Sequence, residues 1–453
     1  MKIIIAGGGK VGYSVAENLA GEGHDITVIE KNPDNITNLS NSLDVICVEG
    51  SATNPETLRE AGAETADLLV AATERDEVNM ICSVSAHKLG TNHVIARIRD
   101  PEYIRQGEFL REALGLSRIV NPEYECAKEI SRILRFPTAA RVDVFSQGSI
   151  EIVEYRVPEG GRLDGVSLKD LPQKHGAKVL IGIVERGEEA VIPNGDYVLQ
   201  AGDRLNITGT SRELRRFFAS IGAYKHPVKH IMIVGGGRIA VYLTRLVEES
   251  GIHVTIIEKD KAQCEHVCDL LADATVVHGD PTHIDVLLEE GLRSVDAFVA
   301  LTGDDGSNII TSMFAKNCSV EKIVTKIDHE HYAGILEEYG IDSVITPRGL
   351  VAQQLIHYVR ALDVSEESSM ETLHLLADGK VEALEFKVQE GAACAGVALK
   401  NLKLKKNILI SAVIRNGKAQ IPDGSTVIQP GDHAVVITTA GRLSRLDEIV
   451  EET

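Results

Sequence analysis

Five short apolar runs open the chain: Ile3–Ala6, Ile26–Ile29, Val45–Val48, Leu68–Ala72 and Val94–Ile98, separated by stretches long enough for helices. Each is apolar at consecutive rather than alternate positions, which marks a strand buried on both faces. Such strands alternating with helices predict a parallel sheet covered on both sides. Ile119-Val120 supplies a sixth, short strand, and Pro122 suits the first turn of the helix that follows. That helix carries Ala127, Ile130 and Leu134 at helical spacing, and a helix after Pro347 carries Val351, Leu355 and Leu362. From about residue 140 the pattern changes to short β-branched runs broken at Arg186-Gly187, Pro193-Asn194-Gly195 and Ala201-Gly202-Asp203. These turns belong to antiparallel hairpins.

The pattern then repeats. Residues 2–32, KIIIAGGGKVGYSVAENLAGEGHDITVIEKN, align with residues 230–260, HIMIVGGGRIAVYLTRLVEESGIHVTIIEKD, at a constant shift (235 − 7 = 228 for the glycines, 258 − 30 = 228 for the glutamates). VEGSATNPETLREAGAETADLLVAAT returns as VHGDPTHIDVLLEEGLRSVDAFVALT, and IPNGDYVLQAGD at 192–203 returns as IPDGSTVIQPGD at 421–432. A long repeat at nearly fixed offset means two copies of one two-part module. The expected fold is therefore α/β: two Rossmann-like doubly wound parallel-sheet domains, each followed by a small α+β domain. The expected boundaries are 1–121, 140–222, 229–347 and 366–453, with His226-Pro227 the only plausible hinge between the copies.

Charge narrows the partners. The 453 residues hold 47 Lys and Arg against 67 Asp and Glu, a net charge of −20. That balance argues against nucleic acid, which is bound through clustered basic residues, and against unaided adhesion to anionic lipid. No apolar run approaches the ~18 residues of a membrane span, and Met1-Lys2-Ile3-Ile4-Ile5 leads straight into a glycine loop, leaving no room for a secretory signal. Seven cysteines without a CxxC pair fit a reducing cytoplasm. Cys264 and Cys268 lie one helical turn apart, yet no nearby residues complete a ligand set, so no metal is expected.

Gly7-Gly8-Gly9-Lys10-Val11-Gly12 is a GxGxxG loop that follows a strand and opens a helix. Gly7 permits the tight turn, Gly9 lets the backbone approach a diphosphate, and Gly12 lets helix and strand pack. Free N–H groups and the dipole at the helix start favour anionic oxygens. Glu30, at the end of the second strand, can accept hydrogen bonds from an adenosine ribose and would repel a 2′-phosphate, a repulsion that Lys31 softens. In the second copy the loop reads Gly235-Gly236-Gly237-Arg238-Ile239-Ala240, with Ala at the packing position, and Glu258 is retained. The loops after the third strands (Gly50-Ser51-Ala52-Thr53 and Gly279-Asp280-Pro281-Thr282) and after the fourth (Thr73-Glu74 and Thr302-Gly303) should face the same crevices. Arg97 and Lys326 end the fifth strands, where a cation could meet phosphate; Asn79 and Asn308 begin the next helices. Capping or solvation is as good an account of any one of these as ligand contact.

Catalysis finds little support. His175, the single histidine of the first small part, has no counterpart in the second copy. His278, His283, His329 and His331 read as surface residues, while Cys47, Cys82 and Cys126 read as core. No nucleophile–base order or paired-carboxylate motif stands out, so no catalytic residue is assigned. An NAD-dependent oxidoreductase of unknown substrate is the alternative reading, and a nucleotide-free assembly scaffold a third.

The large–small–large–small order, the two glycine loops, the EGSAT and AATERDEVN loops and the duplicated IPxGxxxxxxGD hairpin together resemble the family of Trk potassium-uptake regulatory proteins. These are built from paired N-type and C-type regulator-of-conductance-of-potassium (RCK) domains. The resemblance covers essentially the whole chain. It implies a cytoplasmic homo-oligomer, typically a tetramer, seated peripherally on the inner face of the membrane beneath a separate potassium-translocating protein. It further implies NAD(H) or ATP/ADP as regulatory ligands. Carried over by motif, one site uses Gly7 to Val11, Glu30, Thr73, Glu74 and Arg97; the other uses Gly235 to Ile239, Glu258, Thr302, Gly303 and Lys326.

Overall fold

The computed structural model describes residues 1–451 apart from 188, 225, 342, 364–368, 378, 440 and 442. The first large sheet contains β1 (Lys2–Ala6), β2 (Asp25–Glu30), β3 (Ile46–Glu49), β4 (Leu68–Ala71), β5 (His93–Arg97) and β6 (Arg118–Val120). All pairs are parallel and the order is β3-β2-β1-β4-β5-β6, reversing direction between β1 and β4. Every residue of β4 and all but the first of β1 are buried, because helices cover both faces. The second copy repeats the order with strands Thr275–His278, His253–Glu258, His230–Val234, Ala297–Ala300, Lys322–Lys326 and Ser343–Ile345. The expected doubly wound fold is present twice.

Each large sheet is followed by a five-stranded antiparallel-paired sheet, the first ordered Glu189–Val191, Leu180–Arg186, Arg204–Gly209, Ile150–Arg156, Arg141–Phe145. The second is ordered Met370–Leu376, Val381–Lys387, His433–Thr438, Ile408–Arg415, Lys418–Gln420. Residues 366–368 and 452–453, at the ends of the expected last domain, lie outside the described residues.

The connecting helices follow a route the sequence reading did not assign: they are exchanged. Helix Pro122–Arg135, which leaves the first sheet, buries Cys126, Ala127, Ile130, Ile133 and Leu134 in the core of the second, beside Ile239, Ala240 and Leu243. Helix Pro347–Asp363, which leaves the second sheet, buries Val351, Leu355, Ile356 and Val359 in the core of the first, beside Val15, Ala16 and Leu19. Each fully buried Leu, Ile or Val stabilises by roughly 1.5–3 kcal/mol, so either helix gives its host sheet a large share of one covered face. Arg360 fixes the second exchange with two bonds of 2.9 Å to Glu22 and one of 2.6 Å to Glu382.

The two small sheets also meet, through Phe145, Ile150, Ile152 and Ile183 on one side and Val381, Ala383, Ala412, Val435 and Ile437 on the other. At the edge of this joint His374 places Nδ1 2.9 Å from Asp143 and Nε2 3.2 Å from the Val144 carbonyl. Burial alone would raise the Asp143 carboxyl, but Arg141 and His374 hold it at about 2. No helix among the described residues is long and apolar enough to cross a membrane.

Candidate nucleotide-binding sites

The two glycine loops are the same device built twice. Gly7 (φ +103°) and Gly235 (φ +96°) adopt the left-handed backbone that only glycine enters without strain. Their N–H groups close back on the Ile29 and Ile257 carbonyls at 2.8 and 2.9 Å. Glu30 does more than wait for a ribose. Its Oε2 accepts the Gly8 N–H at 2.6 Å while Oε1 accepts the N–H groups of Lys31 and Asn32 at 2.7 and 2.9 Å. Glu258 accepts from Gly236 at 2.7 Å and from Asp260 at 2.8 Å. The carboxylate thus fixes the shape of the loop that would hold a diphosphate.

The third loop glycine behaves differently from its neighbours. A Cβ placed on Gly9 or Gly237 would meet no atom within 4 Å, so the fold itself does not demand glycine there. The space belongs to whatever approaches the loop. The helix starts agree: helices following Asn32, Asn54, Asp100, Asn121, Thr210, Asp260 and Asp304 are each capped by that residue's side chain. Helices Lys10–Gly21 and Arg238–Glu248 have no side-chain cap, a trait shared with Asp76–Leu89 and Ile284–Glu289 among others, but only the first two begin at the glycine loops. Their first N–H groups are left for an anion.

In front of the first loop lies a cavity of about 500 Å³, lined by Gly7, Gly9, Glu30, Thr73 and Glu74 among the expected residues and by Asn32, Asn35, Arg75 and Val78 besides. Gly50 and Ala52 line it, whereas Ser51 bonds Thr53 (2.9 Å) within its own loop. In the second copy Asp280 accepts the Thr282 N–H at 2.9 Å and hydroxyl at 2.7 Å, so it shapes its own turn. Gly303 has open space where a side chain would stand.

Thr73 and Thr302 are pinned by Asn79 and Asn308, both fully buried. Asn79 Oδ1 accepts from the Thr73 N–H (2.8 Å) and hydroxyl (2.6 Å), and its amide donates to the Thr73 and Arg97 carbonyls at 3.1 and 2.8 Å. Asn308 repeats all four bonds with Thr302 and Lys326. These asparagines tie the ends of two strands together and have no side-chain group left over.

Arg97 does not line the cavity before the first loop and turns to Glu123, whereas Lys326 Nζ donates to the Thr302 carbonyl of the second site at 3.3 Å and also meets Asp328. Arg97 meets Glu123 of the exchanged helix at 3.5 Å, with Arg99 at 3.9 Å from the same carboxylate. Burial lowers the Arg97 pKa, opposed by Glu123 and reinforced by Arg99 and Arg238. Lys326 meets Asp328 at 3.4 Å, and Asp328 also receives Arg348 at 3.9 Å and Lys10 at 3.1 Å. Burial would raise the Asp328 carboxyl, but Lys326, Lys10 and Arg348 bring it below its ordinary value. The second cluster gathers Lys326 and Arg348 with Lys10 of the other half around Asp328. In the first, Glu123 and Asp76 answer Arg97 and Arg99, with the charge of Arg238 from the other half felt at Arg97. Lys10 of the first glycine loop therefore touches the second half directly. Tyr242 of the second loop's helix reaches the other way, donating to the Arg99 carbonyl at 2.9 Å and accepting from Asn121 at 3.1 Å.

His175 Nδ1 lies 3.0 Å from the Ser220 hydroxyl and the ring stands edge-on to Phe217. His329 pairs with Asp305 at 2.7 Å. Cys82 and Cys126 are buried, and burial pushes the Cys82 thiol up to about 12. Cys47 corrects the core reading: it is half-buried at the edge of the core and accepts a hydrogen bond from Ser40 at 3.5 Å.

Two nucleotide-type sheets, two small antiparallel sheets and a pair of exchanged helices define an RCK-like regulatory architecture. The TrkA-N domain matches residues 3–122 and 231–347, and the TrkA-C domain matches 152–222 and 383–451. The chain is 32% identical over 452 residues to the Trk system potassium uptake protein TrkA homolog of Archaeoglobus fulgidus, covering 99% of this chain and 100% of that one. It is 33% identical to the Trk system potassium uptake protein TrkA of Halomonas elongata, covering 98% of this chain and 97% of the relative. It is similar in structure to the GsuK RCK domain (TM-score 0.64, 21% identity, 97% of this chain and 92% of that one). The GsuK channel bound to NAD gives TM-score 0.63 at 21% identity, covering 97% of this chain and 77% of that one. The chain belongs to the TrkA family of Trk system potassium uptake proteins.

Proposed function

We propose that the protein is the nucleotide-binding regulatory subunit of a Trk-type potassium uptake system and carries no catalytic activity of its own. The open space before Gly9 and Gly237, at two helix starts without side-chain caps, carries this reading. The ligands are NAD(H) or ATP/ADP. Gly7 to Val11, Glu30, Thr73 and Glu74 form the first site and Gly235 to Ile239, Glu258, Thr302 and Gly303 the second. GsuK structures bound to NAD and to ADP are consistent with either ligand class. The subunit works on the cytoplasmic side as a homotetramer beneath a potassium-translocating membrane protein, and the four domains follow the boundaries expected from the repeat.

A ligand biases a two-state ring only by its difference in affinity for the two shapes, ~1.4 kcal/mol for a tenfold shift. Here the loop that holds the diphosphate carries Lys10, whose Nζ is 3.1 Å from Asp328 of the other half. A phosphate drawing Lys10 toward the first loop loosens that bridge, so occupancy changes the set of contacts across the junction. Arg97 acts through the Glu123 cluster, while Lys326 stands between Asp328 and the Thr302 carbonyl, where it can answer both the junction and the second site.

Titration calorimetry with ATP, ADP, NAD and NADH tests the proposal, together with transport by the membrane partner reconstituted with this protein. Binding that Glu30→Ala weakens at least tenfold, and transport that responds to nucleotide, are expected. Sustained NADH oxidation with a matching product would overturn the non-catalytic reading. Transport indifferent to every nucleotide would overturn the regulatory one.

A further inference from the structure

We propose that the second small domain holds a divalent first-row transition-metal ion on Glu371, Glu385 and His433. Their ligand atoms lie within 4.8 Å of one another on three adjacent strands. His433 Nδ1 is 3.0 Å from Glu371 Oε2 and 3.0 Å from Glu385 Oε1. Metal bonds of about 2.1 Å at right angles place neighbouring ligands about 3.0 Å apart. The side chains are thus already spaced as two edges of a coordination polyhedron.

Backbone register explains how the three converge. Thr372 stands opposite Glu385, and an ordinary strand would send Glu371 to the other face of the sheet; the register shifts between Met370 and Thr372. A bulge of this kind re-aims a side chain, and here it brings Glu371 to Glu385. Lys387 stands opposite His433, which makes Glu385 the imidazole's diagonal neighbour. Glu385 is 1% exposed, and the Ser146 N–H (3.0 Å) and hydroxyl donate to its two oxygens. Glu371 and His433, with side chains 43% and 28% exposed, leave the outer side open to water and to an entering ion.

The first small domain supplies the contrast. At the same register positions it has Glu154 for Glu385, Arg204 for His433 and Arg141 for Thr372. Arg204 lies 3.9 Å from Glu154, so guanidinium charge answers that carboxylate. The second domain has exchanged the guanidinium groups for an imidazole and a further carboxylate. Two carboxylates around one imidazole carry surplus negative charge, which is costly beside a buried glutamate. A divalent ion cancels it, taking the Nδ1 lone pair of neutral His433 and one oxygen of each glutamate, with water completing the shell. Imidazole with carboxylate suits Zn²⁺ or Mn²⁺ better than Ca²⁺ or Mg²⁺, which take oxygen ligands. Because Glu385 also holds Ser146 of the first small domain, the bound ion stiffens the joint between the two small sheets.

The test uses the full chain, stripped with chelator, dialysed and titrated with Zn²⁺ alone by calorimetry beside Glu371→Gln and His433→Arg. The wild type is expected to bind one more Zn²⁺ per chain than either variant, with millimolar Ca²⁺ failing to compete. Zinc taken by Cys264 and Cys268 adds equally to all three proteins and cancels. Equal stoichiometry and affinity in the wild type and Glu371→Gln overturns the proposal. Glu371 is half-exposed, so that variant decides the matter even if His433→Arg does not fold, with circular dichroism as the control.

Discussion

The two glycine loops share their first three glycines, differ at the next three positions (Lys10, Val11, Gly12 against Arg238, Ile239, Ala240), and are held differently by their surroundings. In the first, a Cβ on Gly12 would lie 1.7 Å from the Gly7 carbonyl oxygen, so the turn is closed down on its own helix. In the second, Ala240 occupies that position, fully buried among Cys126, Ala127 and Ile130 of the exchanged helix. The second loop has accommodated the methyl group, and two residues on Tyr242 bolts its helix to the Arg99 carbonyl of the other half. Ser14 stands at the equivalent place in the first copy. The two helices are thus fastened by different means, the second through Tyr242 and the first through Lys10 on Asp328 and Glu22 on Arg360. The duplicated sequence has diverged at Gly12 against Ala240 and at Ser14 against Tyr242.

The contrast can be broken at several points. If the exchanged helices are equivalent supports, Leu355→Ala and Ile130→Ala should each cost about 2–5 kcal/mol, read from urea midpoints; a loss confined to one would show that the halves lean on each other unequally. Gly12→Ala should weaken nucleotide binding at the first site at least tenfold in calorimetry, whereas Ala240→Gly should change the second site less than threefold. Tyr242→Phe removes two hydrogen bonds between the halves, each worth about 0.5–1.5 kcal/mol, and should lower the melting temperature by a few degrees with first-site affinity nearly intact.

A smaller effect separates the two small domains by pH. Burial, with Glu185 adding to it and Arg204 and Arg141 opposing it, raises the Glu154 carboxyl to about 7 in the folded protein. The unfolded chain releases that proton near 4.5, so the folded state binds more protons between these values. Stability contributed by protonated Glu154 is full below about 4.5 and is lost as pH rises through 7. Glu154→Gln should therefore stabilise at pH 8 and change little at pH 4 in parallel thermal melts. The smallest effect is expected from Lys10→Ala, because Lys10 is two-thirds exposed and a pair of that kind contributes about 0–1 kcal/mol.

Much of the sheet layout was legible in the sequence, since strands buried on both faces write themselves as unbroken apolar runs, and the six of the first copy form within about a residue of expectation. The glycine loops were legible because their chemistry is local: strand, turn and helix follow one another along the chain. Arg97 and Lys326 show where that stops. Glu123 stands on the exchanged helix Pro122–Arg135, Asp328 follows Lys326's own strand, and Arg238 and Lys10 reach in from the glycine-loop helix of the opposite half, a contact with no trace in local periodicity. Asn79 and Asn308 were noticed as repeated polar residues beside the crevices, but spacing alone does not reveal that their amides face four backbone and side-chain partners inward. Ser146 and Glu385 are 239 positions apart and meet only because the small sheets stack.

The reciprocal helices have a consequence for inheritance. A half-length chain would leave Val351, Leu355 and Val359, or their counterparts, bare until it met a twin, and two such twins would be identical by necessity. Fusing both halves into one polypeptide keeps the embrace while letting each mutate alone. Unequal residues at matching places, Gly12 against Ala240 and Ser14 against Tyr242, become stable features that a pair of matched halves could never retain.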